Sequence, residues 1–522
     1  MEAQPSSPTI FSSGDTASNR YSPQNGSSTI TEHSPANNKD VENEPSAFKG
    51  SHDGKASELM ISILEVDGVK NPHNWPLYMK VHASAASFAM TFAAGFGITG
   101  YTAGLTDVVS EFDVSMTKAI AGMSVYLFGN FFAPIYNPHL SERFGRSPIY
   151  LTNVFIWGLF ILGAGYSKTY AALIVCRFFA GFFGGATLVL IEGTFADVWG
   201  QCVTSRYYSI LTMASYIGAA CGPLVCGFVI AAKTSWRWTQ WVTLMIGLAA
   251  YLLGIGSPET YPRQIVRRRA ARQGIPHGLE PALSGVTITQ MAHVTIIAPL
   301  KMLVTDPIVI MIAFNLALNF AVLFQFFITV PVALNMLYSF KINQIGLAFL
   351  SAIVGSLAAV LITVISDIIM GPKKLPSDHD HDNNCMTHVE FRMWPAILGN
   401  LLMLGASFWV GWSASPMFHW AVPVVGTGFF VCGSALVLIA MVSYLFDAYS
   451  PRGTLAGLTA AACLRVAFAG WLPLVIVQIF DTITPKWGLG LWGFMFLLTV
   501  PIPVTILLFG FRLRERSAYR ML

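Results

Sequence analysis

Charge is what this 522-residue chain has least of: Asp, Glu, Lys and Arg make up 11% of it, while 54% is hydrophobic. A soluble domain carries about 25% charged residues, so a soluble enzyme is a poor reading. Paired cysteines are missing too. The seven, at 176, 202, 221, 226, 385, 432 and 463, are odd in number, lie mostly in apolar runs and show neither disulfide nor zinc spacing. No GxxxxGK[ST] loop is present, which argues against an ATP-driven pump. No hydrolase or redox constellation is found either, so neither enzyme nor cofactor is expected. The opening residues have no basic stretch followed by an apolar one, so no cleavable signal peptide is expected. DHDHD at 378–382 has metal-like side chains, but without helical spacing it reads as a solvated loop.

What the chain has is long apolar blocks. About 20 apolar residues cross a bilayer core of roughly 30 Å. Twelve such spans are expected: 83–105, 118–138, 147–166, 169–191, 205–231, 237–256, 306–334, 343–370, 393–412, 417–446, 453–480 and 487–511. The fold class is therefore an all-α polytopic membrane protein, in contact with lipid and not with nucleic acid. Residues 1–70, rich in Ser, Pro, Asn and charge, read as a disordered tail. Residues 71–256 form a first half with six spans, and 257–305 a basic linker containing RQIVRRRAAR (263–272). Residues 306–511 form a second half, and 512–522 a basic tail.

Lys and Arg give the orientation. Of 31, 23 fall on the side of the termini, six on the other side (Lys118, Lys168, Lys233, Arg237, Lys341 and Lys486) and two within spans. The positive-inside rule then puts both termini in the cytosol.

The two within spans are Arg177 and Arg465. Each costs on the order of 2.5–3.5 kcal/mol at the bilayer centre. Two uses fit such a residue: structural pairing, or substrate contact and proton coupling. Acids are scarce. Glu192 follows the apolar run 186–191 and is the best candidate for a titrating carboxylate; a helix-end carboxylate with local hydrogen bonds is the alternative. Tyr126, Asn130, Tyr216, Asn315, Asn319 and Gln325 are uncharged polar groups among aromatics. They suit an amphiphilic organic ligand, or they serve as interhelical hydrogen bonds.

After span 2 stands SERFGR (141–146), and after span 8 SDIIMGPKK (366–374). The same order of serine, acid, glycine and base at the same place in each half marks a repeat, a common construction in transporters. Glu142, Arg143 and Arg146 flank Gly145, which permits a tight turn. Two readings fit these charges: they pair with carboxylates of the neighbouring half and hold one conformation, with Asp367, Lys373 and Lys374 doing the same in the second half, or they serve the positive-inside topology alone.

GAACGPLVCG (218–227) is the other local signal. Ala214, Gly218, Gly222 and Cys226 form one stripe of small side chains, and Ser215, Ala219, Pro223 and Gly227 a second beside it. In a soluble helix Gly costs about 1 and Pro about 3 kcal/mol relative to Ala, roughly 6 kcal/mol for three glycines and a proline. Close backbone packing in lipid offsets part of that. Two readings fit: an ordinary contact between small-residue helices, or a bent helix packed tightly at the seam between the halves.

In order along the chain, Asn71-Pro-His-Asn-Trp75, Leu140-Ser-Glu-Arg-Phe-Gly-Arg146, Arg177-Phe-Phe-Ala-Gly181, Gly193-Thr-Phe-Ala-Asp197, Gly218–Gly227 and Pro258-Glu-Thr-Tyr261 resemble motifs of the major facilitator superfamily. More narrowly, they resemble its twelve-span drug:proton antiporter branch found in fungi. Pro138-His139 and Cys226 depart from the usual motif residues, and Ile328 stands near a place that is acidic in many relatives. The resemblance implies a transporter of two six-helix halves. It implies export of a small drug, toxin or secondary metabolite in exchange for protons, driven by the proton gradient, by a monomer in the plasma membrane. It assigns Arg177 to coupling and the span 5 motif (Gly218, Gly222, Pro223, Gly227) to exporters. An uptake carrier of the same fold is the first alternative, and a non-transporting receptor or scaffold the second.

Overall fold

The computed structural model describes residues 71–199, 204–272, 293–370, 389–449, 451–482, 485–515 and 517. The expected tail 1–70, the DHDHD loop, and Lys373 and Lys374 lie outside them.

Every regular element among the described residues is helical. Eleven helices are long and apolar enough to cross a membrane, or twelve when the pair Met116–Asn130 and Ala133–Phe144, bent by 41°, counts as one span. Each expected span has its helix. The ends differ most in spans 1 and 4, which run Leu77–Phe112 and Tyr170–Trp199. Hydropathy falls before these helices end, but the backbone ladder continues because the polar end residues find partners. In span 4 Asp197 meets Arg146, and Trp199 donates to Ser84 Oγ at 3.0 Å.

Two spans are irregular for identifiable reasons. Span 1 tightens into a 3-10 turn at Gly100–Gly104 before resuming as Leu105–Phe112. Such a turn needs other donors for the carbonyls it frees; they come from Arg177, described below. Span 2 bends where Pro134 starts its second piece, because proline has no N–H for the ladder.

Within spans 1–6, span 1 packs on 5 and 6, span 4 on 2 and 3, and span 3 on 6. Within spans 7–12, span 7 packs on 11 and 12, span 10 on 8 and 9, and span 9 on 12. Adding six to each number maps one set onto the other. The halves meet where span 5 lies on span 8 and span 2 on span 11, a pair that the same addition interconverts. The repeat hinted at by two short loops is thus carried through the packing.

The linker is partly helical. Pro262–Arg272 follows span 6, with Ile265 against Trp75 and Val198; Ala298–Thr305 precedes span 7.

Span 5 explains its glycines. A Cβ on Gly218 would strike the Phe92 carbonyl, and one on Gly222 would lie 2.6 Å from the Gly100 backbone nitrogen. Thr99 reinforces the approach by donating to the Ala219 carbonyl at 2.6 Å. This stripe therefore packs on span 1, inside its own half. The second stripe divides: a Cβ on Gly95 of span 1 would lie 2.7 Å from the Ser215 carbonyl, whereas at the seam a Cβ on Gly227 would lie 2.8 Å from the Ile342 carbonyl at the start of span 8, and one on Gly346 3.0 Å from the Pro223 carbonyl. The expectation of a seam motif is corrected to that extent. Gly218, Gly222, Ser215 and Ala219 pack on span 1 within one half, and Pro223 and Gly227, further along the helix, meet span 8.

Candidate functional site

Between the halves lies a chamber with about 1010 Å³ of atom-free space, part of it open to solvent, lined from spans 1, 2, 4, 5, 7, 8, 10 and 11. Most of its wall is apolar. Span 7 contributes Phe320, Phe324 and Phe327, whose spacing puts three rings on one helix face. Two side chains on the wall carry full charges, Glu192 and Arg465. They come from span 4 and span 11, so the expected carboxylate and one of the expected arginines face one space from opposite halves. Glu192 accepts a hydrogen bond from the Tyr208 hydroxyl at 3.0 Å. Arg465 holds its guanidinium 4.8 Å from the Phe320 ring, and its Nε is buried without a hydrogen-bond partner among the described residues. An apolar room with one acid, one base and a few hydroxyls can take an amphiphilic organic molecule and balance one proton against it.

Of the six polar residues expected to line it, Asn130 and Tyr216 stand on the wall. Asn319 is one layer behind. It donates to the Ser434 carbonyl at 3.0 Å and accepts the Ser434 hydroxyl at 2.5 Å. Ser434 also meets the Tyr216 hydroxyl at 2.8 Å, a polar link from span 5 to span 10. Tyr126 lies off the wall and accepts from Trp157 Nε1 at 2.9 Å. Asn315 and Gln325 are buried off the wall, with both amide atoms unpaired among the described residues. Tyr208 and the phenylalanines were not anticipated from the sequence; the i, i+4, i+7 spacing of the rings was the available signal.

Arg177 is elsewhere. It is fully buried and does not line the chamber. Its Nη1 donates to the Gly97 carbonyl at 2.9 Å, Nη2 to Ile98 at 3.3 Å and Nε to Gly122 at 3.2 Å. Its guanidinium lies 4.5 Å from the Tyr101 ring and 4.9 Å from Tyr126. The five-donor fork of arginine suits this work: it supplies donors at the 3-10 turn of span 1 and ties spans 1, 2 and 4 together.

The charged loop after span 2 closes on its own half. Arg146 pairs with Asp197 at the end of span 4. Its backbone N–H donates to Glu259 Oε1 at 2.7 Å, and Arg268 reaches the same carboxylate at 3.8 Å. Gly145 has φ +96°, and a Cβ there would collide with Glu259. Tyr261, 5.5 Å below the Arg146 guanidinium, has its hydroxyl pushed up to about 12 by burial. Glu142 is half-buried, and Arg143 is exposed, 5.5 Å from the Phe144 ring. The expected pairing across to the neighbouring half is therefore corrected: Arg146 finds carboxylates at the ends of spans 4 and 6, which its own half brings nearer. In the second half Asp367 sits half-buried near the end of span 8. There the counterpart of Arg146–Asp197 is Arg392–Asp447, at 2.6 Å between the starts and ends of spans 9 and 10.

Two six-span repeats enclosing one polar-tipped chamber at their junction are the architecture of a secondary transporter for small molecules. The profile described as Major Facilitator Superfamily matches residues 87–471, and the chain belongs to that family, one of membrane transporters rather than enzymes. It is 28% identical over 453 residues to the "MFS-type transporter traF" of Penicillium crustosum, covering 86% of this chain and 91% of that one. It is 27% identical over 479 residues to the "Citrinin biosynthesis cluster MFS transporter mrr1" of Monascus ruber, covering 89% and 94%. Among solved structures it resembles the proton:xylose symporter XylE, with a TM-score of 0.58 at 15% identity over 84% of this chain and 96% of that one.

Proposed function

We propose that the protein exports a small amphiphilic organic compound, of the drug, toxin or secondary-metabolite class, in exchange for protons by alternating access. The observation that carries this is the pair Glu192 and Arg465 facing one aromatic chamber from opposite halves. With Glu192 ionised, the two charges balance across the room. A solute entering from the termini side and a proton entering from the other side compete for this balance. Protonated Glu192 releases its hold on Tyr208 and leaves Arg465 uncompensated, so the empty carrier returns loaded with a proton. The resemblance of the span 5 motif to that of exporters supports export, and so does the name of the Monascus ruber relative, a biosynthesis-cluster transporter. The chain acts as a monomer in the plasma membrane with both termini in the cytosol, and the proton gradient is its only energy source.

Transport in proteoliposomes under an imposed pH gradient tests this. Solute moving opposite to protons supports exchange. Solute moving with protons would establish uptake, and an absence of flux across a broad compound panel would favour a receptor or scaffold.

A further inference from the structure

Asp306, 3% exposed, stands just before span 7 and gathers four donors. Its Oδ1 accepts the N–H groups of Ile308 and Val309 at 3.0 and 3.3 Å, capping the helix, and the Tyr449 hydroxyl at 2.8 Å. Its Oδ2 accepts the Ser517 hydroxyl at 2.6 Å. Tyr449 is fully buried at the corner between spans 10 and 11. Ser517 lies just past span 12, in a turn closed by its N–H on the Arg514 carbonyl at 3.0 Å. Arg514 in turn pairs with Glu390 at the start of span 9. One carboxylate thus joins the start of span 7, the span 10–11 corner and the tail, through donors that are all uncharged.

The chain before the serine reads Arg512-Leu-Arg514-Glu-Arg516-Ser517. Arginines stand five, three and one residues ahead of a hydroxyl, the pattern that the acidic substrate groove of an arginine-directed serine/threonine kinase accepts. From this sequence and the Asp306 contact together we infer that Ser517 is a phosphorylation site whose phosphate detaches the tail from Asp306. In the transfer, Ser517 Oγ bonds to the γ-phosphorus of ATP as the bond to the β–γ bridging oxygen breaks. ADP leaves, and the hydroxyl proton goes to the carboxylate base of the kinase. The modified side chain has lost the hydrogen it donated and gained about 1.5 to 2 negative charges. The Asp306 carboxylate, which had accepted the hydroxyl, repels that anion. The start of span 7 and the corner at Tyr449 then lose their tie to the end of the chain. In the cell this rests on the cytosolic termini proposed above, where ATP and kinases are available.

The test uses the full-length protein in nanodiscs, where both faces are reachable, so a wrong orientation does not affect the outcome. It is treated with an arginine-directed kinase and ATP, sites are read by mass spectrometry, and backbone hydrogen exchange is followed before treatment, after it, and after a phosphatase. Phosphate is expected on Ser517. Exchange over 306–312 and 445–454 is expected to rise by about threefold to tenfold, the loss of one hydrogen bond, and to return with the phosphatase. Ser517→Ala takes no phosphate there, and exchange in these segments does not respond to the kinase. Wild type without phosphate on Ser517, or phosphorylated protein with unchanged exchange in both segments, overturns the proposal.

Discussion

Arg177 offers a test in which charge and geometry predict opposite orders. Its three donors meet the carbonyls of Gly97, Ile98 and Gly122, and its guanidinium lies on Tyr101 and Tyr126. Interhelical hydrogen bonds in membranes average about 0.6 kcal/mol each, and charge-assisted ones run to about 1.5–3. At about 0.6–1.5 kcal/mol each, between the membrane average and the lower charge-assisted figure, three of them stabilise the fold by roughly 2–5 kcal/mol, and the ring contacts add about 0.5–1 each. Against this stands the burial of a charge, about 3 kcal/mol on insertion scales. Lysine keeps that burial but reaches one carbonyl where the fork reached three, so Arg177→Lys loses about 2–3 kcal/mol. Methionine loses every bond but also removes the buried charge, so Arg177→Met is no less stable than Arg177→Lys. Unfolding of the purified variants in detergent micelles, followed by tryptophan fluorescence against denaturant, gives the order. Arg177→Lys with wild-type stability and intact transport, beside a collapsed Arg177→Met, would refute the clasp and favour a role for the charge itself.

Three further outcomes are expected. Gly222→Leu, pressed against the Gly100 backbone, overpacks the span 1–5 contact by about 1–3 kcal/mol and abolishes efflux at equal surface expression; unchanged efflux would remove the need for close packing. Asp197→Asn leaves Arg146 mostly buried without its partner and destabilises by about 3 kcal/mol. A double-mutant cycle with Arg146→Met is expected to give a coupling energy above about 1 kcal/mol, and one near zero would discount the pair. Tyr216→Phe deletes the hydroxyl bridging to Ser434, shifting the balance of chamber states by about fivefold; spin-label distances between spans 5 and 10 that match wild type would argue against this link.

Spans were legible because twenty apolar residues are hard to use otherwise. Their ends were less so. Span 4 continues to Trp199 through Glu192 and Asp197 because Tyr208 and Arg146 receive those acids, and neither partner is visible in a hydropathy window. Polar residues on span 7 were easy to pick out but not to place. Asn319 is engaged with Ser434 while Gln325 is buried off the wall; the distinction depends on which neighbour each face meets. The chamber's two charges were each singled out along the chain, yet their meeting across 273 positions is purely tertiary. Arg146 was expected to reach across the halves. It closes on Asp197 and Glu259 because the ends of spans 2, 4 and 6 converge within one bundle.

The exchange of solute for protons at Glu192 is tested most directly in proteoliposomes offered a pooled set of amphiphilic organic compounds, with and without a pH gradient, their contents read by mass spectrometry. Wild type is expected to drive at least one compound against its own gradient, opposite to the proton flow. Glu192→Gln is expected to lose that pH-driven accumulation while still letting the same compound equilibrate. Accumulation by Glu192→Gln equal to wild type, or movement of the compound in the same direction as protons, would contradict the account.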